Sequence, residues 1–163
     1  MADEFLIFHK KYITPNLELI NNSAYQKELF EHITKDSLSM WLGFAFERFC
    51  FKHAFYIAQI MGFNQNILKA AGYFSKNDKR AQIDLLYKRN DKVFVLCEVK
   101  YYQAEVTTKV IPEIEKKINA FPLPKEYSIE KALITTYGMD KHLKNSNYFD
   151  YVVTMEDILK RKD

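Results

Sequence analysis

Two acids and a lysine stand in an otherwise apolar part of the chain, between Ala81 and Gln103. Asp84 lies within the run IDLLY, Glu98 lies within VFVLCEV, and Lys100 follows shortly after. Mg²⁺ prefers carboxylate oxygens as ligands, and an ammonium group beside them can stabilise charge on a phosphate or on an attacking water. These residue types therefore fit a metal site that activates water.

The polar connector between the two runs decides whether the acids meet. A three-residue loop at 90–92 pairs Asp84 with Glu98 across a hairpin, and Lys100 joins their face because strand side chains alternate. Facing carboxylates repel, and a shared proton, Lys100 or a divalent cation would offset that repulsion. A slip by one residue would separate the acids, and a solvated face with cross-strand ion pairs is the alternative. The apolar flanks instead favour strands that are covered on both sides.

A long helix before the hairpin carries a third acid. It is predicted to run from Asp36 or Ser37, either of which can cap it, to Gly62 at its C-terminal end. At 100° per residue, Glu47 lies in the middle of the apolar face of this helix. The sequence leaves two explanations open. Glu47 either pairs with a buried Arg or Lys, or directs its carboxylate inward at another positive group.

The remaining elements complete an α/β pattern. Two short amphipathic helices, separated by a turn at 14–23, form an N-terminal helical extension over residues 1–35. The later segments are a strand at 67–75, a turn at 77–80, the hairpin, a helix at 107–121, a strand at 130–138, a polar loop at 140–147 and a short strand from 151 that leads into a helical turn. Residues 36–163 are thus predicted to form one domain with helices on a mixed sheet.

Composition excludes several classes of protein. A chain of 163 residues with 48% hydrophobic residues suits a single domain with a sizeable core. A net charge of +3 is compatible with a polyanionic partner but is too small for a protein that coats nucleic acid. Cys50 and Cys97 lack metal-ligand spacing and fit buried, reduced thiols. Neither a signal peptide nor an apolar stretch of about twenty residues is present, so we expect a cytoplasmic protein without a membrane partner.

The same residues resemble a known superfamily. An acid in a long helix, QID at 82–84 and EVK at 98–100 resemble the PD-(D/E)XK nucleases, whose core order is αβββαβ. The segments DEFLIFHKKYITPN, WLGFAFERFCFKH, AQIDLLYKRNDKVFVLCEVKYY and ALITTYG resemble the C-terminal, nuclease-like region of archaeal-type AAA ATPases. Ile83 stands where the superfamily motif has proline, and the sequence contains no GxxxxGK[ST] phosphate loop.

This resemblance implies a restriction-endonuclease-like fold and a function. It implies that Asp84 and Glu98 bind a metal with support from Glu47, and that Lys100 is the catalytic lysine. We therefore predict an Mg²⁺-dependent nuclease, with Mn²⁺ as a substitute, that cleaves nucleic acid, DNA above all, through a metal-activated water. An ATPase domain in the same or another chain is an implied partner.

Further predictions concern nucleic-acid contacts and other classes of function. Tyr101, Gln103 and Lys109 follow the motif and are predicted to contact the substrate. One alternative is a catalytically silent nuclease fold that binds DNA or regulates an ATPase. Another is a structural interaction domain with a buried ion-pair network, which would bind no metal.

Overall fold

Two apolar strands joined by a short loop form the centre of the sheet. In the computed structural model of the chain, β2 (Gln82–Arg89) and β3 (Val93–Lys100) pair in antiparallel fashion. The connector comprises residues 90–92, as predicted. Its last residue, Lys92, has a φ of 63°, the left-handed conformation that commonly ends a three-residue hairpin loop.

The strands of the sheet lie in chain order. The structure describes residues 3–22, 28–35, 37–75 and 81–160, and within these ranges five strands form one mixed sheet, β1-β2-β3-β4-β5. Strand β1 (Ile67–Phe74) is antiparallel to β2, whereas β4 (Ser128–Thr135) is parallel to β3 and β5 (Tyr151–Thr154) is parallel to β4. The predicted mixed α/β fold, with helices on a mixed sheet and an N-terminal helical region, is confirmed.

The long predicted helix is divided in two. Helix α4 (Leu38–Lys52) and helix α5 (Ala54–Ile60) are separated by His53, whose φ of −102° and ψ of 19° are not helical. The end of α5 is as predicted, because Gly62 has a φ of 84°. The Gly62 and Phe63 amides donate to the carbonyls of Gln59 and Ala58, which is the Schellman arrangement that favours glycine at this position.

Helices cover both faces of the sheet. Helix α6 (Ile111–Ala120) makes the crossover that parallel strands β3 and β4 require. Helix α7 (Lys141–Asn145) replaces the predicted polar loop, since the Asp140 side chain caps it by accepting a hydrogen bond from the Leu143 amide at 2.7 Å. Helix α8 (Met155–Leu159) follows β5 as predicted.

Each face of the sheet has its own apolar core. One core packs α4, α5 and α8 against the sheet, and its fully buried residues include Cys50, Ile57, Leu85, Tyr87 and Cys97. Both cysteines are therefore buried free thiols, as predicted. The other core packs α6 against the sheet and includes Ile83, Leu96, Ile114, Leu133 and Leu143. The sheet is thus buried on both faces.

The N-terminal region is helical. The contacts divide the chain into two compact units, Met1–Ala45 and Phe46–Asp163, so the predicted boundary after residue 35 stays a prediction. Part of the predicted turn at 14–23 is helical, since Pro15 is tolerated in a first turn and LELIN favours a helix. The first unit contains helix α1 (Glu4–Phe8), a π-helix at His9–Ile13, a 3₁₀ helix at Thr14–Asn16, and helices α2 (Leu17–Asn21) and α3 (Leu29–Thr34).

Some predictions fall on other parts of the chain. The turn at 77–80 and the capping role of Asp36 lie outside the described residues. Over the described ranges, the structure contains no helix that combines the length and apolar character needed to cross a bilayer.

Candidate active site

The hairpin brings the two acids of the motif together. The paired register of β2 and β3 extends to Leu85 and Cys97, the residues next to Asp84 and Glu98. The Val99 amide lies 3.4 Å from Asp84 Oδ2 and donates a long hydrogen bond to it across the hairpin. The pair lies near the C-terminal end of β3, where ligands commonly bind in α/β sheets.

Glu98 is held by two lysines. Its side chain is 1% exposed, Lys100 Nζ lies 3.0 Å from Oε1, and Lys117 Nζ lies 2.6 Å from Oε2. Lys117 belongs to α6, which covers this face of the sheet, and it donates a hydrogen bond to Glu98. The sequence analysis did not assign Lys117 to the site. Its position one turn after the buried Ile114, on the side of α6 that faces the sheet, is the signal that could have found it.

Lys100 links the hairpin to the same helix. Its ammonium also donates a hydrogen bond to Glu113 Oε2 at 3.1 Å. Burial alone would lower the pKa of Lys100, but the carboxylates of Glu98 and Glu113 outweigh burial, and the pKa is raised. Lys100 therefore stays positively charged across the physiological pH range.

The pKa values of the other two acids, Asp84 and Glu47, are raised, which disfavours their charged forms. Burial raises the pKa of Asp84 above its ordinary value, and although the charge of Lys117 opposes this shift, the charge of Glu98 adds to it. Burial also raises the pKa of Glu47, and the charge of Asp84 raises it further. Neighbouring negative charge thus adds to burial in raising the pKa of both Glu47 and Asp84. An additional cation would stabilise this part of the site.

Two buried oxygens in the site lack a hydrogen-bond donor among the described residues. They are Glu98 Oε1, whose contact with Lys100 is an ion pair without hydrogen-bond geometry, and Thr135 Oγ1. Thr135 lies beside Lys100 on the neighbouring strand β4 and is fully buried. Buried polar atoms are normally paired, and of these two oxygens only Thr135 Oγ1 also lacks an ion pair among the described residues.

Comparison with known proteins gives the chain a family. The sequence model of DUF234, described as archaeal and bacterial proteins of unknown function, matches residues 9–120. The chain belongs to the DUF234 family. The matched segment of this DUF234 protein includes Glu47, the hairpin with Asp84 and Glu98, and the helix that carries Lys117.

Comparison with solved structures finds a protein of unknown function. The crystal structure of a protein of unknown function, AF1548, superposes with a TM-score of 0.43 at 11% identity, over 66% of this chain and 63% of that one. This chain therefore matches less than two thirds of the length of AF1548. The search of curated proteins found no match to the DUF234 chain.

The donor atoms of this DUF234 site suit a hard divalent cation. Mg²⁺ keeps several waters and is usually held by one or two carboxylates, so Asp84 and Glu98 offer the donor type that it prefers, with each oxygen of Glu98 at present within ion-pair distance of a lysine. Within the described ranges, no three Asp, Glu, His or Cys residues are grouped so that they could hold a metal together. The assignment of Glu47 as a third ligand stays a prediction.

The predicted nucleic-acid contacts lie just beyond β3. Gln103 and Lys109 are exposed, and Tyr101 is half-buried with its ring edge against Phe46 at a centroid distance of 6.0 Å. Tyr101 also lines a cavity of about 570 Å³ at the C-terminal ends of β4 and β5. The other lining residues are Thr136, Tyr137, Thr154, Met155, Glu156, Leu159 and Lys160.

Proposed function

We propose that this chain is a metal-dependent phosphodiesterase of the PD-(D/E)XK type that cleaves nucleic acid, DNA in the first place. The observation that carries the proposal is the cluster on β2 and β3, in which the Asp84 side chain accepts a hydrogen bond from the Val99 amide and Lys100 forms an ion pair with the buried Glu98. A cytoplasmic location and an ATPase domain as a partner belong to the same proposal.

The acids and the lysine would have different roles: the acids would bind the metal, and the lysine would act on the phosphate. Asp84 and Glu98 would hold Mg²⁺ or Mn²⁺, which when bound supplies activation of a water and neutralises charge on the scissile phosphate. Lys100, whose charge is secured by its two acidic neighbours, would stabilise negative charge on the phosphate. Glu47 would support the ligand pair from α4. The cavity beside Tyr101 offers two tyrosine rings, Tyr101 and Tyr137, on which an unpaired base of the substrate could stack.

Nicking of a supercoiled plasmid tests the proposal. We expect wild-type protein to nick the plasmid with Mg²⁺ and not with EDTA. Asp84→Asn should lower the rate by at least about 100-fold, because one of the two metal ligands is lost. Lys100→Ala and Lys100→Arg should fail similarly, since a planar guanidinium does not replace a compact ammonium beside a metal.

Glu105→Gln is the matched control for nicking. It removes an exposed carboxylate from the loop after β3 and should nick at the wild-type rate. Wild-type nicking by Lys100→Arg would reduce Lys100 to a counter-ion of Glu98. Equal nicking by wild type and Asp84→Asn would overturn the proposed function.

A second function is favoured by one observation. Both oxygens of Glu98 lie within ion-pair distance of a lysine, an arrangement that also suits a silent nuclease fold with a structural ion-pair network. In that case the chain binds DNA, or regulates an ATPase, without turnover. Gel-shift binding that is unaffected by Asp84→Asn, together with an absence of Mg²⁺-dependent nicking, would favour this second function.

A further inference from the structure

Of the two lysines that pair with Glu98, Lys117 has the shorter distance between Nζ and a carboxylate oxygen. Its Nζ lies 2.6 Å from Glu98 Oε2, shorter than the 3.0 Å between Lys100 and Oε1, and its side chain is only 18% exposed. Lys100 forms ion pairs with both Glu98 and Glu113. Among the described residues, Lys117 forms an ion pair with Glu98 alone. Lys117 thus comes from a separate element, α6, and inserts its charge into the hairpin site.

The other two acids also respond to Lys117. Its charge lowers the pKa of Asp84 and of Glu47, in each case more than the charge of Lys100 does. The charge of Lys117 therefore acts on the same acids that are proposed to hold the metal. An ammonium group that lies among acids occupies the kind of position that a divalent metal would take.

The Lys117 contact and a metal compete for one atom. An oxygen lone pair that accepts a hydrogen bond from an ammonium at 2.6 Å is not free to bind a cation, and two positive centres so close together repel. Metal binding through Oε2 of Glu98 therefore requires that Lys117 leave. Its long, unbranched side chain can swing away without any change in the backbone of α6.

We propose that Lys117 is a built-in surrogate cation, which fills the metal position of the Glu98 site in the metal-free protein and is displaced when a divalent cation binds. The inference rests on the proposed function, because it concerns the same site, and it adds the regulation of that site. The lysine keeps the buried Glu98 carboxylate paired in the metal-free state and sets a threshold of metal concentration for activity. Lys117 is therefore a positioning residue that acts through Glu98.

Calorimetric titration of the full, metal-free chain with MgCl₂ and with MnCl₂ tests the inference. Lys117→Met removes the ammonium and keeps most of the apolar stem, so we expect the metal to bind about tenfold or more tightly, in the range found when groups around metal ligands are changed. Lys117→Gln can still donate a hydrogen bond to Glu98 but carries no charge, and its affinity should lie between those of wild type and Lys117→Met. This variant decides the test if Lys117→Met does not fold.

The control uses the neighbouring lysine on the same helix. Lys116 is exposed, so Lys116→Met lowers the net charge equally and should change metal affinity less than about twofold. Thermal unfolding gives a second readout, in which Lys117→Met melts below wild type without metal and gains more from Mg²⁺ than wild type does.

The outcomes separate the inference from the proposed function. If wild type binds metal in an Asp84-dependent manner and Lys117→Met binds no more tightly, the surrogate role of Lys117 is wrong while the metal site stands. If neither protein binds metal, both the inference and the metal-dependent function are overturned. Tighter binding by Lys116→Met to the same extent would reduce the effect to net charge and would also overturn the inference.

Discussion

The burial of Glu98 between two ammonium groups sets the energetics of single substitutions in the site. Glu98→Gln leaves Lys100 and Lys117 close together without their shared carboxylate. Breaking a buried ion pair by removing one partner costs about 3–5 kcal/mol, and because both lysines are partly exposed, we expect a smaller loss of about 2 kcal/mol in the free energy of unfolding. Urea unfolding in EDTA measures it, and an unchanged midpoint would contradict the paired geometry.

Asp84→Asn should act in the opposite direction. The raised pKa of Asp84 means that the folded state disfavours the charged form of this carboxyl group. Between the ordinary aspartate pKa and this raised pKa, the folded state therefore binds more protons than the unfolded state does. Wild type should therefore gain stability over that pH window, as ionisation of Asp84 is suppressed. Without metal, Asp84→Asn should be as stable as wild type or more stable at neutral pH.

The pH dependence provides the check on Asp84→Asn. The advantage of the variant over wild type should be greatest at neutral pH and should shrink as the pH falls through the raised pKa of Asp84. Glu105→Gln, which removes an exposed acid, should show no such trend. A variant that melts well below wild type at neutral pH in EDTA would show that the Asp84 carboxylate is itself a structural partner.

At the scale of elements, the hairpin was predictable because its geometry is local. The loop length fixes the register, and the alternation of side chains then fixes which residues face each other. The spacing from Ile114 places Lys117 on the side of α6 that faces the sheet, but which turn of α6 lies over β3 depends on the path of the crossover, so the sequence alone does not bring Lys117 to Glu98. The break at His53 also lacks a local signal, since apolar residues continue on both sides. The Asp140 cap of α7 was readable, but the polar composition of the segment suggested a loop.

The hairpin loop supplies a prediction of its own. Lys92 has a positive φ, which costs a residue with a Cβ about 1–2 kcal/mol, and its exposed ion pair with Glu126 contributes little. Lys92→Gly should therefore raise the free energy of unfolding by about 0.5 kcal/mol once the greater flexibility of glycine in the unfolded chain is included. The register of β2 and β3 should be unchanged. Urea unfolding measures the gain.

Lys92→Ala is the matched variant for the loop. It removes the same ion pair with Glu126 but keeps a Cβ at the positive φ, so it should be no more stable than wild type. If Lys92→Gly and Lys92→Ala had equal unfolding midpoints, the backbone conformation would not be the source of the effect.

At the scale of the whole molecule, the site lies where the layers of the second unit meet. The acids come from β2, β3 and α4, and the two lysines come from β3 and α6. Elements on both faces of the sheet therefore contribute to one cluster of charges. A cation that binds there stabilises the folded state as a whole, because the unfolded chain does not hold these residues together.

Mg²⁺ should consequently raise the melting temperature of the chain. At 10 mM Mg²⁺ and a dissociation constant of about 0.1 mM, the folded state gains about 2.7 kcal/mol, which for a chain of this size corresponds to about 5–10 °C. Asp84→Asn should show no such rise, because it lacks one of the two ligands, and NaCl at matched ionic strength should not reproduce the wild-type shift. Differential scanning calorimetry measures the three cases. An equal rise in wild type and Asp84→Asn would place the cation elsewhere on the molecule, and no rise in either, with DNA binding retained, would favour the silent nuclease fold over the enzyme.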